Sequence, residues 1–559
     1  MKIVKSLLLG SAAGLVAVTG AQAADLPVKA KPVEYVKVCT LYGAGFYYIP
    51  GTDTCIKIGG FLRTEWNHNA GGSFDVLIDG GAAAMTRNTN TLVNRSRIIT
   101  SFDVRSQTEY GTLRAYARAG WQWTTNDFQI GGSQCASSLT GAAGNSVSSS
   151  TVPAGWSGSS SCTYLDRAFI QFAGFTFGKT QSFFEFLGPS YSYMSQWLSI
   201  DTGGSGPAVF AYTMQFGNGL SATISAEDGT YHRAPIVAVP TFAAGAGASG
   251  LFPSGGSNPS SHRGHQIPDL VGNLRVDQAW GSAQIMGALH PLAANYYQVA
   301  TGFSLVAPTT TVTVTGGAGT VVGTFVVTGG ITGGANNLTS HPDTKLGWAV
   351  GGGITLKMPW DPKDTFSVAA HYCKGAVRYC TQPGGTLGTG TGAGLVNEGK
   401  IGVGWLDDAY YDSREANGGS LELSKVWSAV AAFEHYWTPT LRSSIYGGYM
   451  KFEANSSVVD TQVCAGGLPA GTGLPATGPG SLSQGPGCTD WSAYQIGSRT
   501  IWNPVANLDI GVDVMYTKIN TAFQGQVRSV TTQGLPIALL VDDTHQWSGI
   551  LRIQRNFWP

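Results

Sequence analysis

The sequence is poor in charge. Lys, Arg, Asp and Glu make up 12% of the chain, about half the roughly 25% usual in soluble domains. Positive and negative side chains balance at 33 each, so no net field exists to draw in nucleic acid or an anionic membrane surface. Long apolar runs are missing beyond the N-terminus, because Gly, Ser, Thr and charged residues interrupt every apolar stretch. This excludes membrane-spanning helices, which need about 20 consecutive apolar residues. No Cys-x-x-Cys pair occurs and the 9 histidines are scattered, so the ligand spacing of a structural zinc site is lacking. A Gly-x-Ser-x-Gly nucleophile elbow is lacking as well.

What is present fits a membrane protein without helices. Glycine is abundant at 78 positions and aromatic residues reach 11%. Lipid requires every backbone N–H and C=O to bond within the protein, so the alternative to helices is a closed sheet. At the N-terminus, Lys2 and Lys5 precede an apolar run from Leu7 to Val18 and the triplet Ala21-Gln22-Ala23. This predicts a secretory signal peptide over 1–23, too short for an anchor, and hence export.

The eight cysteines fall into four sequential couples, Cys39 with Cys55, Cys135 with Cys162, Cys373 with Cys380 and Cys464 with Cys488. In an oxidising compartment these read as disulfides. Many connectivities are formally open. The nearest-neighbour scheme rests on position alone, the last three couples lying in or beside loops assigned to one membrane face. No metal and no cofactor is expected.

Period-2 alternation recurs over lengths suited to membrane strands. From Asn507 to Lys518, Leu508, Ile510, Val512, Val514 and Tyr516 share one face, against Asp509, Gly511 and Asp513. From Thr112 to Trp123, Leu113, Ala115, Ala117, Ala119, Trp121 and Trp123 oppose Arg114, Tyr116, Arg118 and Gln122. Sixteen such segments begin near residues 56, 95, 112, 163, 174, 208, 219, 272, 281, 345, 364, 421, 441, 491, 507 and 545. Short connections, such as Gln107 to Tyr110, Gly217-Asn218-Gly219 and Asn503 to Ala506, alternate with long loops rich in Gly, Ser and Thr. That asymmetry predicts an all-β protein, a transmembrane antiparallel β-barrel with short periplasmic turns and long extracellular loops. Residues 24–55 would form a periplasmic lead and 56–559 the barrel. The Thr/Val alternation from Thr309 to Thr328 reads as an extramembrane hairpin, or as two further strands making eighteen.

Two blocks carry a family likeness. The run from Val38 to Gly60 (VCTLYGAGFYYIPGTDTCIKIGG) and the run from Asp166 to Lys179 (DRAFIQFAGFTFGK) resemble the major porins of alphaproteobacterial outer membranes. The resemblance implies a homotrimer of sixteen-stranded barrels among outer-membrane lipid and lipopolysaccharide. Each barrel would have its own pore, narrowed by an inward-folded third loop, here Ser182 to Gly206. In that loop Phe183, Phe184 and Phe186 would pack on the wall, while Glu185 and Asp201 supply negative charge. Such porins end on a Phe read by the barrel-assembly machinery, whereas here Phe557 precedes Trp558 and Pro559.

Parity places Arg95, Arg97, Arg105, Arg114, Arg118 and Arg167 on the face opposite the apolar one, and Arg63 likewise in the first strand. Opposite Glu185 and Asp201, these cations would set a transverse field at the constriction and tune selectivity. The alternative is that several of them pair with Asp103, Glu109 or Asp166 to brace the wall.

Other signals are weaker. Gly245 to Gly250 matches a dinucleotide pattern, but Pro253 and a Gly/Ser/Pro stretch follow where a helix would start. His262 and His265 lack a cluster of further ligands. His371, His435 and His545 lie in strands and leave a surface phospholipase open. The sequence therefore reads as a non-enzymatic, passive channel for ions and small hydrophilic solutes. The alternatives are a substrate-selective porin, an outer-membrane phospholipase and an adhesin barrel.

Overall fold

A computed structural model describes residues 37–70, 91–125, 160–187, 191–194, 206–239, 262–297, 313–316, 319–322, 340–381, 395–397, 400–402, 404, 406–412, 419–461, 489–522, 524–530 and 536–557. The first strands are β1 (Cys55–His68), β2 (Leu92–Thr108), β3 (Gly111–Thr124), β4 (Ser160–Phe172) and β5 (Phe175–Lys179). Then come β6 (Ala208–Gly217), β7 (Leu220–Glu227), β8 (Asp269–Gln278), β9 (Gly281–Leu292) and β10 (Lys345–Lys357). The series ends with β11 (Thr365–Lys374), β12 (Lys425–Thr438), β13 (Leu441–Glu453), β14 (Trp491–Trp502), β15 (Leu508–Asn520) and β16 (Thr544–Asn556). Each pairs antiparallel with its sequence neighbour, and β1 pairs with β16 from Phe61↔Asn556 to His68↔Gly549. The result is a closed barrel of sixteen strands. Among the described residues, Thr313–Gly316 and Gly319–Val322 pair with each other in a separate two-stranded hairpin outside the sixteen-stranded barrel.

Alternation sorts the two faces. Outward residues such as Ile58, Leu62, Trp66, Ile285, Val512 and Val514 are exposed apolar side chains, as a lipid-facing band requires. Inward residues on β8 to β16, among them Met286, Ala369, Tyr446, Met450 and Met515, join one buried apolar cluster. To that cluster the long connections add Phe184, Tyr191 and Met194, Val237, Tyr379 and Val459. Tight turns close the opposite end. Asn218 and Asn507 adopt positive φ there, a conformation that Asn tolerates better than most residues.

Over β7 to β11 the long connections fold onto one another. Ile236–Val239 runs parallel to Ala409–Asp412, which pairs with Glu422–Leu423. Beneath this small sheet Tyr379 stacks on His232 at 4.2 Å and donates to Asp269 at 2.7 Å. Asp408 accepts from the backbone N–H groups of Ala234 and Val377, both at 2.8 Å. Burial pushes the Asp407 carboxyl up to about 7 and the His232 imidazole down to about 4, so the imidazole rests neutral and the carboxyl holds its proton far more readily than a solvated one. The Cys373–Cys380 disulfide pins the turn that carries Tyr379.

Val514→Arg puts a guanidinium on the lipid face near the middle of β15 and is expected to cost about 2–4 kcal/mol in denaturant unfolding from lipid. Thr112→Arg, on the water-facing side of β3, is expected to cost well under half of that. Equal losses would contradict the assignment of faces.

Candidate functional site

Cross-strand register concentrates arginine on the lumen side of β1 to β4. Arg63 lies opposite Arg97, Arg105 opposite Arg114, and Arg118 opposite Arg167. Like charges directly opposite each other destabilise a sheet, so a wall built for stability alone gains nothing from three such couples. Each is relieved by a carboxylate. Asp103 bridges Arg105 at 2.8 Å and Arg114 at 2.9 Å, and Asp166 takes Arg118 at 2.8 Å. Glu65 meets Arg95, Arg552 and, at 3.8 Å, Arg63. Arg97 Nε donates to the Gln122 side-chain Oε1 at 3.0 Å.

The position of Arg167 depends on a bulge. Arg118 pairs with Arg167 and Ala119 with Leu165, leaving Asp166 as an extra residue in β4. A bulge re-aims the side chains beyond it. Here it keeps Tyr164, Asp166 and Arg167 all on the lumen side, although strict alternation would not. Gly120 opposite Tyr164 leaves the room its ring occupies.

The connection between β5 and β6 follows the far wall. Phe183 N–H donates to Glu227 at 2.9 Å, and the Phe183 carbonyl accepts from Asn273 on β8 at 2.7 Å. Gln284 on β9 donates to the Glu185 carbonyl at 3.2 Å. Phe186 fills the space that Gly353 leaves on β10, with Arg275 5.5 Å from its ring. Farther on, the Tyr191 hydroxyl meets Ser367 on β11, Ser192 Oγ donates to Asp513 on β15 at 2.7 Å, and Arg552 lies 3.8 Å from the Tyr193 ring. Tyr446 also donates to Asp513. Gly511 makes room for the Tyr193 hydroxyl. The described residues of the segment thus touch strands from β7 round to β16, with their side-chain and backbone contacts on that side of the lumen.

The nine residues expected to form the constriction therefore divide. Arg105, Arg114 and Arg118 keep 27%, 26% and 37% of their side chains exposed, enough to meet a solute. Arg63 is mostly covered, Arg167 is half-buried, and Arg95 and Arg97 are buried at 1% and 4%. Glu185 is buried against β9, across the lumen from the basic wall. Asp201 lies outside the described residues. Of the cysteine couples, Cys39–Cys55 and Cys373–Cys380 are disulfides. Cys135, Cys464, Cys488 and the side chain of Cys162 lie outside the described residues, as does Gly245 to Gly250.

Arg552 was missed, although Leu551 and Ile553 on either side of it mark its inward parity. Glu65, Asp513 and Tyr193 were also not singled out as functional. The histidines do not converge. His371 faces the lumen with Ser428 at 3.5 Å, whereas His435 faces outward on Asp364 at 2.6 Å and His545 lies beside Tyr516 on the outer face. His262 bonds the Ala234 carbonyl and His265 sits near Asp228. Among the described residues no group of three or more His, Cys, Asp or Glu is placed to hold a metal.

The sequence matches the porin subfamily over residues 25–544. Porin Omp2b of Brucella canis is 33% identical over 286 residues, covering 50% of this chain and 64% of that protein. Porin Omp2a of Brucella canis is 36% identical over 232 residues, 40% of this chain and 56% of that one. The matched region thus spans less than two thirds of these relatives' length. The outer membrane channel DcaP of Acinetobacter baumannii aligns over 91% of this chain with 13% identity and a TM-score of 0.48.

Asp513→Ala removes the acceptor shared by Ser192, Tyr193 and Tyr446. Leaving buried donors without an acceptor costs about 1–3 kcal/mol each. The substitution is expected to free the β5–β6 connection from the far wall while the barrel stays closed. Added protease should then cut that connection at least about tenfold faster, since about 1.4 kcal/mol is tenfold in an opening equilibrium. An unchanged cleavage rate would show that Asp513 does not hold it.

Proposed function

The chain belongs to the porin subfamily, and from that premise we propose that it is a passive, water-filled channel of the outer membrane for ions and small hydrophilic solutes. Its width supports this, because barrels of about sixteen strands leave an aqueous lumen whereas eight are filled by side chains. The observation that carries the reading is the basic wall. Among the described residues, eight arginines, counting Arg552, surround the three carboxylates Glu65, Asp103 and Asp166. On the far wall Glu227, Asp269 and Asp513 are buried, while the more accessible Asp277 is paired with Arg275 and Glu434 with Arg499 and Arg442. The accessible field is positive, so anions are favoured over cations of the same size. No step in this function needs a reacting group, and the protein works without catalysis.

The working unit is a homotrimer, as the resemblance to alphaproteobacterial porins implies, set among lipopolysaccharide and inserted by the barrel-assembly machinery. A ring cluster on the outer face of β5 and β6, Phe175 and Phe177 with Phe210 and Tyr212 at 4.7–6.2 Å, offers an apolar surface for such contacts. One observation favours a solute-selective form of this reading. Arg114 lies 5.1 Å from the Tyr116 ring and 5.4 Å from the Phe169 ring, which stack on each other at 5.2 Å. Anions with an apolar face would meet charge and ring together there, and saturable flux of one such class would mark selectivity.

Purified protein in a planar bilayer under a salt gradient is expected to give large open steps, in threes, with a reversal potential on the anion side. Reversing both Arg114 and Arg118 to Glu is expected to move that potential towards cations without closing the pore. A folded protein that stays silent would overturn the channel reading, and an unmoved potential would remove these two arginines from the ion path.

A further inference from the structure

The short-turn end of the basic wall is covered by the chain's own lead. Cys55, Lys57 and Arg105 share the lumen face, and Cys55 is the cross-strand partner of Arg105. Residues 37–54 fold back on them in two reversals. Gly43, Gly45 and Gly51 take φ of 92°, 86° and 79°, a region open to glycine and costly for other residues. Thr40–Tyr42 form a single 3-10 turn that Gly43 closes through a hydrogen bond to the Thr40 carbonyl at 3.2 Å. Cys39 N–H donates to Phe46, Tyr48 N–H to Lys37 and Ile49 N–H to Thr54, each at 2.9 Å. Tyr47 and Tyr48 then extend the sheet at the start of β1.

Four contacts fasten this lead to the lumen side. The Cys39–Cys55 disulfide joins it to the wall. Cys39, Phe46 and Cys55 form a small core of their own, with Tyr42 and Tyr48 packed against it. Lys57 Nζ donates to the Ala44 carbonyl at 3.2 Å. The Arg105 guanidinium lies 4.9 Å from the Phe46 ring and 5.7 Å from the Tyr42 ring, within reach of a cation–π contact. Barrel closure does not depend on any of this, since β1 and β16 pair from Phe61 onwards.

We propose that the lead is a second selectivity element of the pore, a collar at the short-turn mouth that caps Lys57 and Arg105 and sets the charge an ion meets there. This rests on the channel reading above. Carbonyl oxygen and ring faces screen the two cations, while the exposed tip at Gly43 and Ala44 borders the opening. The mouth is therefore less positive than the section above it, where Arg118 lies opposite Arg167. The disulfide fixes the collar in an oxidising compartment, where such bonds persist.

The test is a pair of opposite charges at the tip of the full chain. Ala44 is exposed and touches the wall through its backbone, so Ala44→Glu and Ala44→Lys leave the fold in place. Measured in a planar bilayer under a salt gradient, Ala44→Glu should raise the cation-to-anion permeability ratio and Ala44→Lys lower it, each by about 1.5-fold or more at low salt, where screening is weak. The double variant Cys39→Ser with Cys55→Ser should increase conductance and its noise. Wild-type protein that conducts while both Ala44 variants keep its ratio overturns the collar and leaves the channel reading intact. Wild-type protein that never conducts overturns the channel reading and the collar with it.

Discussion

In lipid a β-sheet has nowhere to leave an edge, so every other feature of this molecule depends on β16 finding β1. The seam runs from Phe61↔Asn556 to His68↔Gly549, joining strands from opposite ends of the chain. It carries more than backbone hydrogen bonds. Glu65 on β1 meets Arg552 on β16 and Arg95 on β2, and Arg63 donates to Gln554 at 2.8 Å. A buried ion pair stabilises little unless its remaining hydrogen-bonding capacity is met. Glu65 meets that condition because three arginines converge on it. The charge network that lines the lumen therefore also marks the point of closure.

The same economy runs through the wall. A sheet that sets arginine opposite arginine three times loses stability at each couple, and the acids Asp103, Asp166 and Glu65 recover part of it. What remains is a surplus of positive charge on one side of the lumen. The far side is filled differently. Apolar side chains of β8 to β16 pack with Phe184, Tyr191 and Met194 from the β5–β6 connection. In the proposed channel, water and ions would run along β1 to β4, where guanidinium groups remain partly exposed. Its selectivity would then follow from two placements, charge on one wall and packed loops on the other.

Much of this was legible in the sequence because strands facing lipid must alternate. Leu113 to Trp123 and Leu508 to Tyr516 announce their outer faces residue by residue, and all sixteen strands begin within a few residues of where that pattern starts. The lumen arginines followed from the same parity. Their burial did not, because whether Arg97 meets solute or Gln122 depends on neighbouring strands that a single segment does not reveal. The Asp166 bulge was invisible for a related reason, since it shows only in the register against β3. The clamp of Tyr193 on Asp513 and Arg552 joins residues far apart in the chain, and only the closed barrel brings them together. Phe183, Phe184 and Phe186 were expected to fasten the loop to the wall, and they lie against β8 to β11 and Tyr379.

In the proposed channel the aqueous path hugs β1 to β4 and avoids β8 to β16. Two single cysteines on the lumen face test it, Gln171→Cys on β4 and Ala369→Cys on β11, where Ala369 is 2% exposed. A charged thiol reagent added to open channels in a bilayer should reduce current through Gln171→Cys and leave Ala369→Cys unchanged. Equal block at both positions, or block at Ala369→Cys alone, would put the aqueous path against the far wall and overturn this placement.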